Sequence, residues 1–370
     1  MGNSRKRKKN QAKTVLLVFM LLILCVAVGA LLAVLKLTDK EKGVQKYEIP
    51  EEKIEANSSV KEKFENDANL SKYTTVALFG VDARNGSLAK STRTDTIMIA
   101  AINNETGEVR ICSVYRDTYL NIGNDSYNKC NSAYAKGGYE QAINMLNMNL
   151  DLYITDFITV GFEGVIDTVD AVGGVEIDVQ DNEIKHLNNY QASMWCTESN
   201  PNNFTTDYIP VSNAGKQTLN GLQALAYCRI RYTAGSDFKR TERQRTVLEQ
   251  ILNKAKGTSP TKLTQAVNDV MPLVATSLDV SELIDIATNA SKYTITDTNG
   301  FPFEGHITTG KISSKGDCVI PVDLATNVEE LHEFLYPGAE YTVSDDVLEY
   351  SKKIHSDTAP YISVSAAPAE

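Results

Sequence analysis

The chain has 370 residues, 42% of them hydrophobic and 23% charged, with a formal net charge of −10. That composition supports a packed core and excludes a mostly disordered chain. The acidic balance argues against a general nucleic-acid binder, which needs a net basic footprint, so no nucleic-acid partner is expected.

The N-terminus sets the expected topology. Residues 1–13 carry Arg5, Lys6, Arg7, Lys8, Lys9 and Lys13 and no acid, whereas Val15 to Leu35 holds no charged residue. Such a run crosses about 30 Å of hydrocarbon as a helix. It is longer than the apolar core of a cleaved signal peptide. Residues 14–37 therefore read as one transmembrane helix, with 1–13 as a cytoplasmic tail by the positive-inside rule. The expected location is the cell membrane, single-pass, with the folded part extracytoplasmic. Residues 38–72, rich in Lys, Glu, Asn and Ser, read as a linker. One domain is expected over 73–345, with its motif core at 73–257, and 346–370 reads as a loose C-terminal tail. Cys25 falls in the span. Cys112, Cys130, Cys196, Cys228 and Cys318 lie beyond it, an odd number, so at least one lacks a partner within the chain.

In chain order, strands are expected at 74–81, 95–102 and 108–114, the last two joined as a hairpin by turn residues 103–107. A helix is expected around 138–148, a strand at 156–160, a helix at 162–172 ending at Gly173-Gly174, and a strand at 175–179. Residues 180–216 show no period and read as a long loop. A short helix at 219–226, a strand at 227–232 and a helix at 240–256 follow. Helices at 263–275 and 280–291, one or two strands within 305–322 and a helix at 329–335 complete an α/β class.

Arginine placement carries the functional signal. Beyond the span, arginines occur at 84, 93, 110, 116, 229, 231, 240, 243 and 245, with none between 117 and 228 and none after 245. Arginine is preferred where a planar fork meets phosphate oxygens in pairs. Solvated surface arginines explain any single one; the clustering favours an anion site. If the first two strands are antiparallel neighbours, Asp82 and Asp95 share one rim, and the third strand returns there with Arg116 and Asp117. Two carboxylates on such a rim suit Mg²⁺, or simply cap turns and pair with arginine. Period two places Arg229 and Arg231 on one strand face. Helical spacing places Arg240, Arg243 and Gln244 together, leaving Arg245 solvated. No GxSxG, HExxH or Walker motif is present. The residues fit an acceptor hydroxyl attacking phosphorus, with charge stabilised by arginine and metal.

These segments resemble the LytR-CpsA-Psr family of cell-wall ligases. The resemblance rests on GVDAR at 80–84, TRTDTIMIA at 92–100, SVYRDTY at 113–119, KCNSAYAKGG at 129–138, VDAVGGVEIDV at 169–179, LNGLQALAYCRIR at 219–231 and DFKRTERQ at 237–244. It implies an α/β/α sandwich with a central mixed sheet. It also implies a Mg²⁺-dependent phosphotransferase that moves a glycopolymer from a polyprenyl-pyrophosphate-linked glycan donor in membrane lipid to a peptidoglycan acceptor, through a phosphodiester. Asp82 and Asp95 match the family's metal carboxylates. Arg93, Arg116, Arg229, Arg231, Arg240 and Gln244 match its pyrophosphate-binding set. Arg84, Lys129 and Arg243 match further motif positions. The catalytic set so implied is Asp82, Arg93, Asp95 and Arg116. Tyr115 departs from the usual Pro before Arg-Asp, and Cys130 and Cys228 replace aliphatics. Two other readings stay open: a non-enzymatic polyprenyl-phosphate-binding regulator, and a lipid pyrophosphatase.

Overall fold

The computed structural model describes residues 45–47, 49–83, 88, 92–197, 199–231, 236–259, 262–263, 265, 269–278 and 290–361. The expected transmembrane helix at 14–37 and its basic tail lie outside the described residues, as does the helix expected at 280–291 for most of its length. Among the described residues no helix is long and apolar enough to cross a membrane.

A seven-stranded mixed sheet runs through the molecule. Its strands are β1 (Gln45–Lys46), β2 (Tyr73–Val81), β3 (Thr94–Asn103), β4 (Glu108–Val114), β7 (Asp156–Val160), β10 (Val274–Thr276) and β11 (Thr294–Phe301), in the order β1-β10-β7-β2-β3-β4-β11. β2, β3 and β4 pair antiparallel, while β2–β7 and β4–β11 pair parallel. Three two-stranded sheets are appended: β5 (Tyr119–Asn121) with β6 (Tyr127–Lys129), β8 (Val175–Val179) with β9 (Gly215–Leu219), and β12 (Ile307–Ile312) with β13 (Gly316–Pro321).

The period of two along β2 and β3 divides the core. Val76, Leu78, Met98 and Ala100 face one side. There they meet α3 (Phe162–Ala171), α5 (Gly221–Cys228) and α6 (Ser236–Lys256) through Val169, Ala224, Val247 and Ile251. Ala77, Phe79, Ile97 and Ile99 face the other side. They meet α2 (Asn131–Leu150), α7 (Leu324–Leu335) and α8 (Asp345–Thr358) through Ile143, Leu146, Leu331 and Ile354. Each such side chain, fully buried, contributes about 1.5–3 kcal/mol. Helices cover both faces of the sheet, the layering the resemblance implied.

Several expectations change. Residues 227–231 hold no strand: α5 runs Gly221–Cys228, Arg229 caps it in a turn, and Ile230 follows. Its capping box, Asn220 with Gln223, and its buried Ala224, Leu225 and Ala226 favour helix over the β-like reading of 227–232. The expected loop at 180–216 contains α4 (Asp181–Ala192), whose Gln180 N–H donates to Glu183 Oε2 at 3.0 Å, and the start of β9. The expected helix at 263–275 ends in β10, where Val274 and Ala275 pair with β7. β11 completes the main sheet where no strand was expected. α2 begins seven residues earlier than expected and breaks at Gly138, whose φ of +72° suits glycine. Two segments read as loose are packed. Within the linker, α1 (Val60–Asn66) and Asn57 dock on the domain, Asn57 Nδ2 donating to Met148 O at 2.9 Å. Within the C-terminal tail, α8 buries Val347, Ile354 and Thr358. Five cysteines beyond the span are free, with Cys112, Cys130 and Cys318 buried.

Candidate active site

The β2–β3 register sets Val81 opposite Thr94. Asp82 lies one residue past that pair and Asp95 one residue inside it, at the register shift between Gly80 and Val81, so both stand at the same end of the sheet. β4 returns antiparallel to β3 and ends at Val114, which delivers Tyr115, Arg116 and Asp117 to the same rim. Arg229 arrives there from the C-cap of α5, and Asp237 and Arg240 from the first turns of α6.

Asp95 is the hub. Arg116 Nη1 donates to its Oδ1 at 2.5 Å, Arg240 Nη2 lies 3.1 Å from Oδ2, and Arg231 Nη2 lies 3.7 Å from Oδ1. The network extends both ways. Asp117 braces Arg116 Nε at 3.5 Å and holds Lys129 Nζ at 3.1 Å. Asp237 Oδ1 sits 3.7 Å from Arg231 Nε and 3.8 Å from Arg240 Nη1. Four cations thus face three carboxylates before Arg229 is added. Burial pushes the Asp95 carboxyl upward, but the charges of Arg240, Arg116 and Arg231 outweigh it and hold the group below its ordinary value. Burial likewise pushes Arg240 down, and Arg231 and Arg116 add to that while Asp95 opposes it. A guanidinium nonetheless keeps its proton. Nε of Arg116 and Nε of Arg240 are buried with no hydrogen-bond partner, as is Oδ1 of Asp237. Buried donors left unmatched cost about 1–3 kcal/mol each. The cluster is therefore poised for a further anion.

Behind it opens an apolar slot of about 120 Å³, within the core between the sheet and α3, α5 and α6. Leu78 and Met98 form its floor, and Phe162, Val165, Leu225, Val247, Leu248 and Ile251 its walls. Asp95, Arg229, Arg240 and Gln244 stand at its polar end. The Arg229 guanidinium is held over the rings of Phe162 at 4.8 Å and Tyr190 at 5.2 Å. An apolar tunnel with a cationic mouth matches an amphiphile with an anionic head. A second cavity, with polar groups set in a mainly apolar lining, lies on the far side of Asp95 and Arg240, between β4, the start of α6 and the β12–β13 hairpin.

Of the residues singled out from sequence, Asp95, Arg116, Arg229, Arg231, Arg240 and Gln244 converge, with Asp82 beside them on the rim. Arg93 is exposed at the start of β3. Lys129 stands behind Asp117 and reaches the cluster through it. Arg229 and Arg231 share the site because a helix end and a turn place them there, and not through a common strand face. Arg243 points away from the slot: its Nε pairs with Glu183 Oε1 at 2.7 Å and its Nη1 donates to Ile230 O at 3.2 Å. It ties α6 to α4. Arg245 is half-buried, with Nε and Nη1 lacking hydrogen-bond partners, so its solvated reading is also corrected. Arg84 lies outside the described residues. Sequence reasoning missed Phe238, inside the DFKRTERQ segment, and the hairpin residues Thr309 and Asp317, which line the second cavity and not the slot.

The carboxylates assigned to Mg²⁺ from the sequence, Asp82 and Asp95, stand at the same end of the sheet. Among the described residues no group of three His, Cys, Asp or Glu side chains could hold a metal. Asp82 and Asp95 offer two carboxylates and leave the remaining positions to phosphate oxygens and water, which is the Mg²⁺ habit.

A family model described as LytR_cpsA_psr matches residues 33–317. The chain belongs to the LytR-CpsA-Psr family. Among curated LytR-CpsA-Psr relatives, the polyisoprenyl-teichoic acid–peptidoglycan teichoic acid transferase TagU of Oceanobacillus iheyensis is 32% identical over 248 residues, 65% of this chain and 67% of that protein. The TagU of Bacillus subtilis is 32% identical over 216 residues, 57% of this chain and 62% of its own length. The match thus spans less than two thirds of that relative. The solved structure of the LytR-CPS2A-psr family protein YwtF (TagT) with bound octaprenyl pyrophosphate lipid shares the fold. Its TM-score is 0.51 at 20% identity, covering 71% of this chain and 90% of that one.

Proposed function

We propose that this chain is a phosphotransferase that moves a glycopolymer from a polyprenyl-pyrophosphate carrier to peptidoglycan, using Mg²⁺. The observation that carries the reading is the apolar slot with Arg229, Arg240 and Asp95 at its polar end, where Arg116 and Arg231 pair with the same Asp95 carboxylate. An isoprenoid chain fills the slot, and its pyrophosphate takes the arginines. The transferase names of the TagU relatives support the same reaction, with a teichoic acid as the polymer.

The arginines and Asp95 act as follows. The incoming pyrophosphate meets Arg116 and Arg240, whose unmatched Nε–H groups gain acceptors. Asp95 and Asp82 would hold Mg²⁺ at this end of the sheet, and the ion would supply neutralisation of phosphate charge. The arginines orient the glycan-side phosphorus and stabilise the charge that builds on its oxygens. The acceptor oxygen forms the new P–O bond, the bridging P–O bond breaks, and the carrier leaves as polyprenyl phosphate. The acceptor proton passes to solvent.

The test is release of polyprenyl phosphate from a short-chain polyprenyl-pyrophosphoryl sugar, with peptidoglycan fragments present and Mg²⁺ supplied or chelated. Metal-dependent transfer supports the reading. Tight lipid binding without turnover favours a carrier-binding regulator, and release of equal extent without acceptor favours a pyrophosphatase.

A further inference from the structure

We propose that the second cavity is the acceptor site, built to take a neutral glycan hydroxyl such as that of a peptidoglycan amino sugar. The inference rests on the phosphotransferase reading above and adds where the acceptor binds and which residues select it.

Four observations carry it. The first is position. Asp95, Thr96, Arg240 and Gln244 line both cavities, so the Asp95–Arg240 pair is a shared wall. In-line displacement at phosphorus requires the attacking oxygen to approach opposite the leaving one. The leaving group is the lipid phosphate, which belongs to the slot. The attacker therefore comes through the wall's other side, which is this cavity.

The second is lining chemistry. Tyr115 and Phe238 meet edge to face with centroids 4.6 Å apart, and Phe238 is 37% exposed. An aromatic face flanked by carboxylates and hydroxyls is the pattern that binds a sugar ring, with C–H edges on the ring face and hydroxyls on the polar groups. Thr241, Thr309, Asp317 and Asp237 supply those groups. Carboxylates at the lip also disfavour a phosphate-rich polymer and favour a neutral hydroxyl.

The third is an unmatched group. Asp237 lines this cavity and not the slot, and its Oδ1 has no hydrogen-bond partner. A buried acceptor in that position awaits a hydroxyl.

The fourth is construction. The β12–β13 hairpin that closes the cavity is tied to the turn bearing Arg116: Val319 N–H donates to Asp117 O at 2.9 Å, and Thr118 bridges to Val319. Tyr115 keeps its place because residue 300 is glycine, where a Cβ would lie 2.1 Å from the Tyr115 hydroxyl. Tyr115, which departs from the family's usual Pro, is thus part of an assembled wall.

The experiment uses the full chain in detergent with a short-chain polyprenyl-pyrophosphoryl sugar as donor. The acceptor is a soluble N-acetylglucosaminyl-N-acetylmuramic acid disaccharide. Phe238→Ala and Asp317→Asn alter exposed positions at the lip, and Thr309→Val removes a hydroxyl there; thermal melts check folding. The expected result is a rise of about tenfold or more in acceptor KM for Phe238→Ala and a smaller rise for the other two. Donor KM and the rate of release to water stay unchanged. Unchanged acceptor KM in all three variants overturns the proposal. A matching rise in donor KM overturns it too, by making the cavity part of the donor site. Saturation-transfer NMR with the disaccharide alone reads binding without turnover: loss of the signal in Phe238→Ala supports the site, and its persistence contradicts it. A wild-type chain that binds the disaccharide here yet transfers nothing from the donor defeats the phosphotransferase reading and leaves a glycan-binding cavity standing.

Discussion

Asp95 Oδ2 and Arg240 Nη2 lie 3.1 Å apart, and this pair divides the apolar slot from the second cavity. The same carboxylate also meets Arg116 and Arg231, so one negative charge holds three positive ones in a partly dry site. Asp95 in this arrangement neutralises the arginines proposed to meet the substrate phosphates.

Replacing Asp95 by Asn leaves the three arginines without their shared carboxylate. Stability should fall by about 2 kcal/mol, below the roughly 3–5 kcal/mol typical of a fully buried pair because exposure screens the charge. Transfer should be lost. Inorganic pyrophosphate should raise the melting temperature of Asp95→Asn more than that of the wild type, since it replaces the missing anion. Equal shifts in a thermal melt would contradict this role.

The slot separates tail recognition from head recognition. Leu248→Trp fills it, and affinity for a long-chain prenyl pyrophosphate should fall at least tenfold while inorganic pyrophosphate binds as before. Isothermal titration with both ligands makes the comparison. Parallel losses would mean that the tail lies elsewhere.

Arg243 is expected to act on stability and not on donor binding. Both it and Glu183 are buried. Truncating Arg243 to Ala leaves Glu183 uncompensated and should cost about 3 kcal/mol in denaturant unfolding. Donor KM in the surviving folded fraction should stay unchanged. A raised donor KM would return Arg243 to the phosphate-binding set.

Acid should destabilise the fold in two steps. His332 is buried with Nε2 against Leu150 O at 2.9 Å and its ring stacked on Tyr341 at 3.6 Å. Burial, opposed by the Leu150 carbonyl and Asp151, lowers its pKa to about 4. The unfolded chain binds the proton near pH 6.5, and the native one does not until about pH 4. Stability is therefore full above about pH 6.5 and is lost as pH falls toward 4, by about 3 kcal/mol in all. Asp95, held below its ordinary value, adds a second loss at still lower pH. His332→Gln should flatten the upper step in urea unfolding across pH and leave the lower one.

Much of this was legible in the sequence. The strands expected at 74–81, 95–102 and 108–114 and the turn at 103–107 sufficed to place Asp82, Asp95 and Arg116 on one rim. The misreadings have local causes. Cys228 to Arg231 looks like a strand because its charges alternate, yet the capping box at Asn220 and the helix-forming run before it fix a helix end. Arg243 shares a helical face with Arg240, but buried Glu183, sixty residues away, claims it. The walls of the slot come from α3, α5 and α6, elements far apart in sequence, while α2 packs on the other face of the sheet. The β12–β13 hairpin reaches the site only through tertiary contact with Asp117 and Thr118.

The most direct measurement of the central claim is transfer from a short-chain polyprenyl-pyrophosphoryl sugar to a peptidoglycan fragment, with polyprenyl phosphate as the readout. Wild type, Asp95→Asn and Arg116→Ala are compared with Mg²⁺ present and chelated. Turnover should appear only in the wild type with metal and should fall by a factor of a hundred or more in both variants. Turnover that persists in Asp95→Asn, or that ignores chelation, would contradict a phosphoryl transfer centred on Asp95 and its arginines.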